Sequence, residues 1–148
     1  MIVVRTMQIE DVDQVCVLEE EAFSMPWHKQ SFLEMIAHPD ALYLVAENRE
    51  QPGKILGCCG VRNIVGEGEI TNVVVKKESR NEGTGRKLLT ELLRRGMEEL
   101  GISAFTLEVR VGNAPAIHLY ESLGFISEGI RKNFYEKPRE DAMIMWKR

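Results

Sequence analysis

The sequence has few cysteines, and they are poorly placed for cross-linking. Cys16, Cys58 and Cys59 are odd in number and contain no Cys-x-x-Cys spacing, which argues against both a disulfide framework and a structural zinc site. On a strand, Cys58 and Cys59 point to opposite faces, and all three read as small apolar residues. No apolar run is long enough to span a membrane. The N-terminal stretch Met1-Ile2-Val3-Val4-Arg5 is too short for a signal peptide, so a cytoplasmic location without a membrane partner is expected. There is no basic stripe with interleaved aromatics and the net charge is −4, which argues against a nucleic-acid partner and suits a cationic substrate such as a basic peptide or a polyamine. No Ser-His-Asp or Cys-His set can be assembled from spacing, no metal-ligand pattern stands out, and there is no repeat, low-complexity tract or linker.

What remains is an ordinary globular composition in 148 residues, 44% hydrophobic and 28% charged, enough for one domain with a real core. The chain reads as strand, two helices, three strands, helix, strand, helix and two strands. Strands are expected at 2–5, 42–47, 55–64, 69–75, 104–111, 125–130 and 142–146. The first helix is expected to be capped by Asp11 and to carry Val12, Val15, Cys16, Leu18, Ala22 and Phe23 on its apolar side. A break at Ser24–Trp27 separates it from a second helix over 29–37. The clearest helix carries Leu88, Leu89, Leu92, Leu93, Met97 and Leu100 and stops at Gly101. It joins the fourth and fifth strands as parallel neighbours. The expected class is α+β, a mixed, mostly antiparallel central sheet with helices on both faces, spanning residues 1–148 as a single domain.

The organising stretch is Val73-Val74-Val75 followed by Arg80-Asn81-Glu82-Gly83-Thr84-Gly85-Arg86-Lys87. A β-branched strand runs into a glycine turn that opens a helix. The first N–H groups of a helix lack intrahelical partners and attract negative charge, and glycine lets a ligand come close to the backbone. The turn therefore reads as a site for a phosphate-bearing cofactor. It is not a Walker loop, since no Gly-Lys-Ser/Thr follows, and it is not a Gly-x-Gly-x-x-Gly dinucleotide turn, since position 88 is Leu.

Together with Leu107-Glu108-Val109-Arg110, Asn113 and Leu119-Tyr120-Glu121-Ser122-Leu123-Gly124-Phe125, this stretch resembles the GCN5-related N-acetyltransferase superfamily. Phe23-Ser24-Met25-Pro26-Trp27, Arg131–Tyr135 and Arg139–Met145 resemble its ribosomal-protein-alanine N-acetyltransferase branch. The resemblance covers essentially the whole chain. It implies the acyl-CoA N-acyltransferase fold and acetyl-CoA as co-substrate, with no metal. It also implies backbone contacts to the acetyl and pantetheine part from Val73, Val74 and Val75. Asn81, Glu82, Gly83, Thr84, Gly85 and Arg86 would surround the phosphates, and Asn113 would reach the pantetheine arm. Glu82 departs from the usual basic or neutral residue there, so it is expected to contribute through its backbone alone. Arg80, Arg86 and Lys87 either compensate charge or are solvated.

Acetyl transfer to an amine needs a neutral nucleophile and a proton for the departing thiolate. An α-amine titrating at about 7.7–8.0 is roughly a tenth neutral at pH 7, whereas a lysine at about 10.4 is neutral in a few parts per ten thousand, about 300-fold less. A site of modest basicity thus favours α-amines. Glu108 is the candidate base, acting through water; from spacing alone it can equally be a solvated residue paired with Arg110. Tyr120 is the candidate acid and shares a helix face with Asn113; a tyrosine there can equally pack the helix on the sheet. His118 sits about 200° around that helix from Tyr120 and is expected to turn away. Substrate recognition is expected from Ser24–Trp27 and from a loop at 133–139, with Trp27, Phe134 and Tyr135 as aromatics and Glu136, Glu140 and Asp141 as acids facing a basic peptide. The implied partner is the N-terminus of a ribosomal protein. The alternatives are a lysine or small-molecule amine as acceptor, or an acyl-CoA-binding module without turnover.

Overall fold

The central strands are apolar on both faces, so helices must cover both. In the computed structural model, which describes residues 1–148, the order is β1 (Ile2–Thr6), α1 (Val12–Ala22), α2 (Lys29–Ala37), β2 (Ala41–Asn48), β3 (Ile55–Ile64), β4 (Glu67–Val75), α3 (Thr84–Leu100), β5 (Ala104–Arg110), α4 (Ala114–Ser122), β6 (Ile126–Tyr135) and β7 (Glu140–Lys147). The seven strands form one sheet in the order β1-β2-β3-β4-β5-β7-β6. Every neighbouring pair is antiparallel except β4 and β5, which are parallel as the connection through α3 requires.

Alternation assigns the two faces. Leu42, Leu44 and Ala46 of β2 and Cys59 and Val61 of β3 pack with Leu88, Leu89, Leu92 and Leu93 of α3. Tyr43, Val45, Cys58 and Val74 pack with Val12, Val15 and Leu18 of α1 and Phe32 of α2. Cys58 and Cys59 thus face opposite layers, both buried and reduced.

Three local expectations are corrected. Asp11 does not cap α1: its backbone is helical, inside a 3-10 turn at Ile9–Asp11, and its carboxylate accepts from Gln8 N (2.8 Å) and from both Arg5 Nη atoms (2.8 and 2.9 Å). Met97 is 56% exposed, and Gly96 takes the inward position on α3. A Cβ there would lie 3.2 Å from the Phe105 ring, so glycine permits the close approach. Strand β6 runs on to Tyr135 rather than ending at Ile130. Its second half was hidden because β6 is an edge strand with an exposed, charged Arg131-Lys132-Asn133 segment and a register shift between Arg131 and Tyr135.

The feature that positions the site is where β4 leaves β5. Their parallel ladder consists of Glu67–Ala104, Gly68–Phe105 and Glu69–Thr106, and goes no further. On its other side β4 stays paired with β3 up to Val75–Gly57, but the register shifts: Gly60 pairs with Asn72 and Val61 with Ile70, leaving Thr71 as a bulge. Meanwhile β5 continues on β7 from Phe105–Lys147 to Arg110–Ala142. A bulge bends its strand and adds twist, so β4 and β5 open into a fork.

Tyr43 braces the fork from below. Its hydroxyl hydrogen-bonds Thr71 Oγ1 and donates to Asn72 Oδ1 (3.3 Å), while its ring fills the space above Gly60, where a Cβ would lie 2.2 Å from ring carbon Cε2. Gly60→Ala is therefore expected to displace the ring and lower stability by about 1–3 kcal/mol, the usual cost of overpacking. Urea denaturation reads this as a lower midpoint at constant slope; an unshifted midpoint would show that the ring is free to move.

Candidate active site

The fork opens onto a cleft of about 1260 Å³. Single-ligand pockets hold about 300–1000 Å³, so there is room for two substrates. One wall is the β4 edge from Ile70 to Val75, the other is β5 from Leu107 to Arg110, and the start of α3 and α4 close it. Val73, Val74 and Val75 lie on the part of β4 that has left β5, so one edge of their backbone has no strand beside it.

Directly beyond β4 the chain turns into α3. Asn81 (φ +66°) and Gly83 (φ +79°) both take left-handed conformations, and Gly83 precedes the first helical residue without any side-chain cap. A Cβ on Gly83 would touch nothing within 4 Å, so glycine is favoured there by conformation. A Cβ on Gly85 would lie 3.3 Å from Leu119 Cδ2, so glycine there lets α3 start against α4. Thr84 is 1% exposed and its Oγ1 donates to the Ser79 carbonyl (3.4 Å), which leaves only its backbone for a ligand. Asn81, Gly83, Thr84, Gly85 and Arg86 line the cleft; Glu82 is exposed and its side chain stays outside. Arg80 Nε donates to the Val75 carbonyl (3.2 Å) and Arg86 Nη2 to Ser122 Oγ (2.8 Å), so both guanidinium groups are held at the cleft, while Lys87 lies outside it. An uncapped helix start flanked by two arginines fits a pyrophosphate, and the open β4 edge fits an extended amide arm.

Glu108 stands on the polar side of β5, where Phe105, Leu107 and Val109 are buried and Thr106, Glu108 and Arg110 are partly exposed. Its Oε2 is buried and accepts no hydrogen bond; the nearest cation is Arg131, 3.4 Å away, outside hydrogen-bond geometry. Burial pushes the Glu108 carboxyl up, Arg131 pulls against this and Glu69 adds to it. Arg110 is not its partner. It pairs with Glu140 (3.2 Å), donates to the carbonyls of Glu136 and Pro138, and stacks 4.5 Å over the Tyr135 ring. Tyr120, 8% exposed, lines the cleft with its ring tilted 61° against that of Phe125, and burial pushes its phenol well up, so it holds its proton at neutral pH. Asn113 caps α4: its Oδ1 accepts from Ala116 N (3.3 Å), leaving the amide N–H groups free to face the cleft. His118, expected to turn away, is exposed and borders the cleft, because α4 stands at the rim and two of its sides reach it.

At the far mouth, Trp27, Phe134 and Tyr135 all line the cleft, and Ser24 Oγ donates to the Glu136 carbonyl (3.3 Å), joining the α1–α2 loop to the β6–β7 turn. No three His, Cys, Asp or Glu side chains gather to hold a metal ion, and no helix is long and apolar enough to cross a membrane.

Residues 12–125 match the Acetyltransferase (GNAT) family. The chain belongs to the GNAT family of acetyltransferases. A Bacillus subtilis (strain 168) protein, provisionally named a ribosomal protein bS18-alanine N-acetyltransferase, is 40% identical across 97% of this chain and 93% of its own. The ribosomal protein bS18-alanine N-acetyltransferase of Escherichia coli (strain K12) is 31% identical across 96% of this chain and 94% of its own. The crystal structure of the Escherichia coli ribosomal-protein-S18-alanine N-acetyltransferase superposes with a TM-score of 0.87, covering 99% of this chain and 93% of that one at 31% identity.

One buried carboxylate in this GNAT cleft belongs to no motif. Glu19 is 2% exposed, lines the cleft, and its Oε1 accepts from Trp27 N and from Asn72 Nδ2, both at 3.2 Å. The signal was present: Val12, Val15 and Leu18 define the buried stripe of α1, and position 19 follows Val15 by four residues. In the run Glu19-Glu20-Glu21 the first acid alone falls on that stripe.

The electrostatics of the β5 wall are directly measurable. Arg131→Met removes the cation that holds Glu108 down, so the Glu108 carboxyl is expected to titrate at higher pH than in the unaltered protein, as followed by carbon NMR. Identical titrations would show that Arg131 is too solvated to matter.

Proposed function

We propose that this GNAT domain, residues 1–148, transfers an acetyl group from acetyl-CoA to the α-amine of an N-terminal alanine of a ribosomal protein. The observation that carries the chemistry is one cleft that combines an uncapped helix start, a free strand edge, an unbonded buried carboxylate oxygen on Glu108 and a protonated phenol on Tyr120. Likeness along nearly the whole chain to proteins named for acetylating bS18 alanine supports the choice of acceptor.

Acetyl-CoA supplies the acyl group as an activated thioester. The backbone of Val73, Val74 and Val75 aligns the acyl and pantetheine part like an added strand. Backbone N–H groups of Asn81, Glu82, Gly83, Thr84, Gly85 and Arg86, with the Arg80 and Arg86 guanidiniums, hold the pyrophosphate. Asn113 donates its amide N–H to the pantetheine arm. Glu108, raised by burial toward the range of a useful base, accepts the proton of the incoming amine through water, and Tyr120 gives its proton to the departing sulfur. Trp27, Phe134 and Tyr135 grip the first residues of the peptide, and the acids around the β6–β7 turn attract its positive charge. The arrangement calls on neither nucleic acid nor membrane, and a cytoplasmic setting suits a ribosomal substrate.

The test is a peptide panel analysed by mass spectrometry. An alanine-first peptide is expected to gain one acetyl group on its α-amine. The same peptide with a blocked N-terminus and an internal lysine is expected to gain none. Transfer that survives the block would move the acceptor to lysine, and CoA binding without transfer to any amine would make the protein a binding module. Glu108→Gln and Tyr120→Phe are each expected to lower kcat by about 10²–10⁴-fold with CoA affinity nearly unchanged. Because only ionised Glu108 accepts a proton, kcat/KM is expected to fall as pH drops through its raised pKa, and this limb should vanish in Glu108→Gln. An unchanged rate in either variant would remove that residue from the mechanism.

A further inference from the structure

Two buried side-chain polar atoms in the protein lack a hydrogen-bond partner, Glu19 Oε2 and Glu108 Oε2. Both residues line the same cleft. The mechanism above uses Glu108 and leaves Glu19 unexplained. Glu19 sits on α1, across the sheet layer from α3, and reaches the cleft beside Trp27 and Asn72. Asn72 immediately precedes Val73 and follows the Thr71 bulge, so Glu19 stands close to the opening of the fork.

Burying a carboxylate oxygen without a donor is costly. A helix that had only to close the core would carry an apolar side chain here, as it does at Val12, Val15 and Leu18. The carboxylate is instead held in place. The Trp27 N–H and the Asn72 amide fix Oε1, Asn72 is fixed in turn by the Tyr43 hydroxyl, and Oε2 is left over. None of the protein's ion pairs involves Glu19. A fixed carboxylate that pairs with none of the protein's own cations is suited to a cationic donor from outside.

We propose that Glu19 receives the substrate's charged N-terminus, its Oε2 accepting an N–H from the α-ammonium of the incoming peptide. This rests on the acceptor reading above and deepens it, because it makes a free ammonium, rather than the identity of the first side chain, the primary determinant of binding. An ammonium carries three N–H donors, so it satisfies Oε2 and still has a proton to yield to a second acceptor. The amine is thus captured charged by Glu19 and loses one proton through water to Glu108; as its nitrogen bonds the acetyl carbon and the carbon–sulfur bond breaks, its second proton replaces the one Tyr120 gives to the departing sulfur.

Glu19→Gln is the discriminating variant. Its remaining oxygen can still accept from Trp27 N and Asn72, while its amide places a donor where Oε2 stood, opposite the ammonium. Affinities are read by calorimetry with CoA present, for an alanyl tetrapeptide and for its propionyl analogue, which is the same chain without the ammonium. The unaltered protein is expected to prefer the alanyl peptide. Glu19→Gln is expected to weaken it by about tenfold or more, as for loss of a charge-assisted hydrogen bond, and to leave the propionyl analogue within about twofold. Equal alanyl affinity in both proteins, or an equal loss for both peptides, would overturn the proposal. If Glu19→Gln does not fold, the unaltered protein gives the answer: alanyl peptide should lower the titration midpoint of the Glu19 carboxyl and the propionyl analogue should not, and a midpoint indifferent to alanyl peptide overturns the proposal. Acetylation of the alanyl peptide is scored separately. Transfer with no dependence of binding on Glu19 removes this proposal and keeps the activity; ammonium binding that depends on Glu19 without transfer keeps the proposal and removes the activity.

Discussion

The departure of β4 from β5 after three paired residues governs the rest of the structure. An unpaired strand edge in the middle of a sheet is costly, since its backbone groups must find partners elsewhere. The fold sustains the opening from both sides. On β4 the Thr71 bulge turns the strand, and Tyr43 and Asn72 lock it to the α1–α2 layer. On β5 the six-residue ladder with β7 holds the strand in the sheet without help from β4. The open backbone edge, the start of α3 and the polar side of β5 therefore converge on one cleft. Closing the ladder would satisfy the backbone and erase the site.

Both signs of charge line that cleft, and at the far mouth Arg110 is paired with Glu140. At the α3 end lie a helix N-terminus and the side chains of Arg80 and Arg86, an environment for an anion. Toward the fork and the far mouth lie Glu19 and Glu108, whose carboxyls are both raised by burial. Cys58 and Cys59, by contrast, are buried on opposite faces with thiols pushed up by desolvation, consistent with packing roles. The aromatic mouth is shared by two distant segments, joined by the Ser24–Glu136 hydrogen bond and stiffened by Arg110 stacked on Tyr135.

Much of this was legible in the sequence because it is local. The period of α3, the glycine turn, the parallel connection through α3 and the alternation on β5 each depend on residues within one or two elements. Glu108 and Tyr120 were found by motif, and both line the cleft. What was hidden depends on pairs far apart in the chain. Arg110 reads as a neighbour of Glu108, yet it pairs with Glu140, thirty residues on. Asp11 reads as a helix cap, yet Arg5 on β1 claims its carboxylate. The far half of β6 has no apolar alternation because it is an edge. Glu19 lies on the buried stripe of α1, but its place in the cleft is set by Asn72, fifty-three residues away.

The proposed acyl-CoA site is the β4 edge together with the start of α3. Amide hydrogen exchange measured with and without CoA tests it most directly. CoA is expected to slow exchange at Val73–Val75 and Gly83–Arg86 together, with far smaller changes on β1 and β2. Protection confined to other elements, or unchanged exchange along both stretches at saturating CoA, would contradict it.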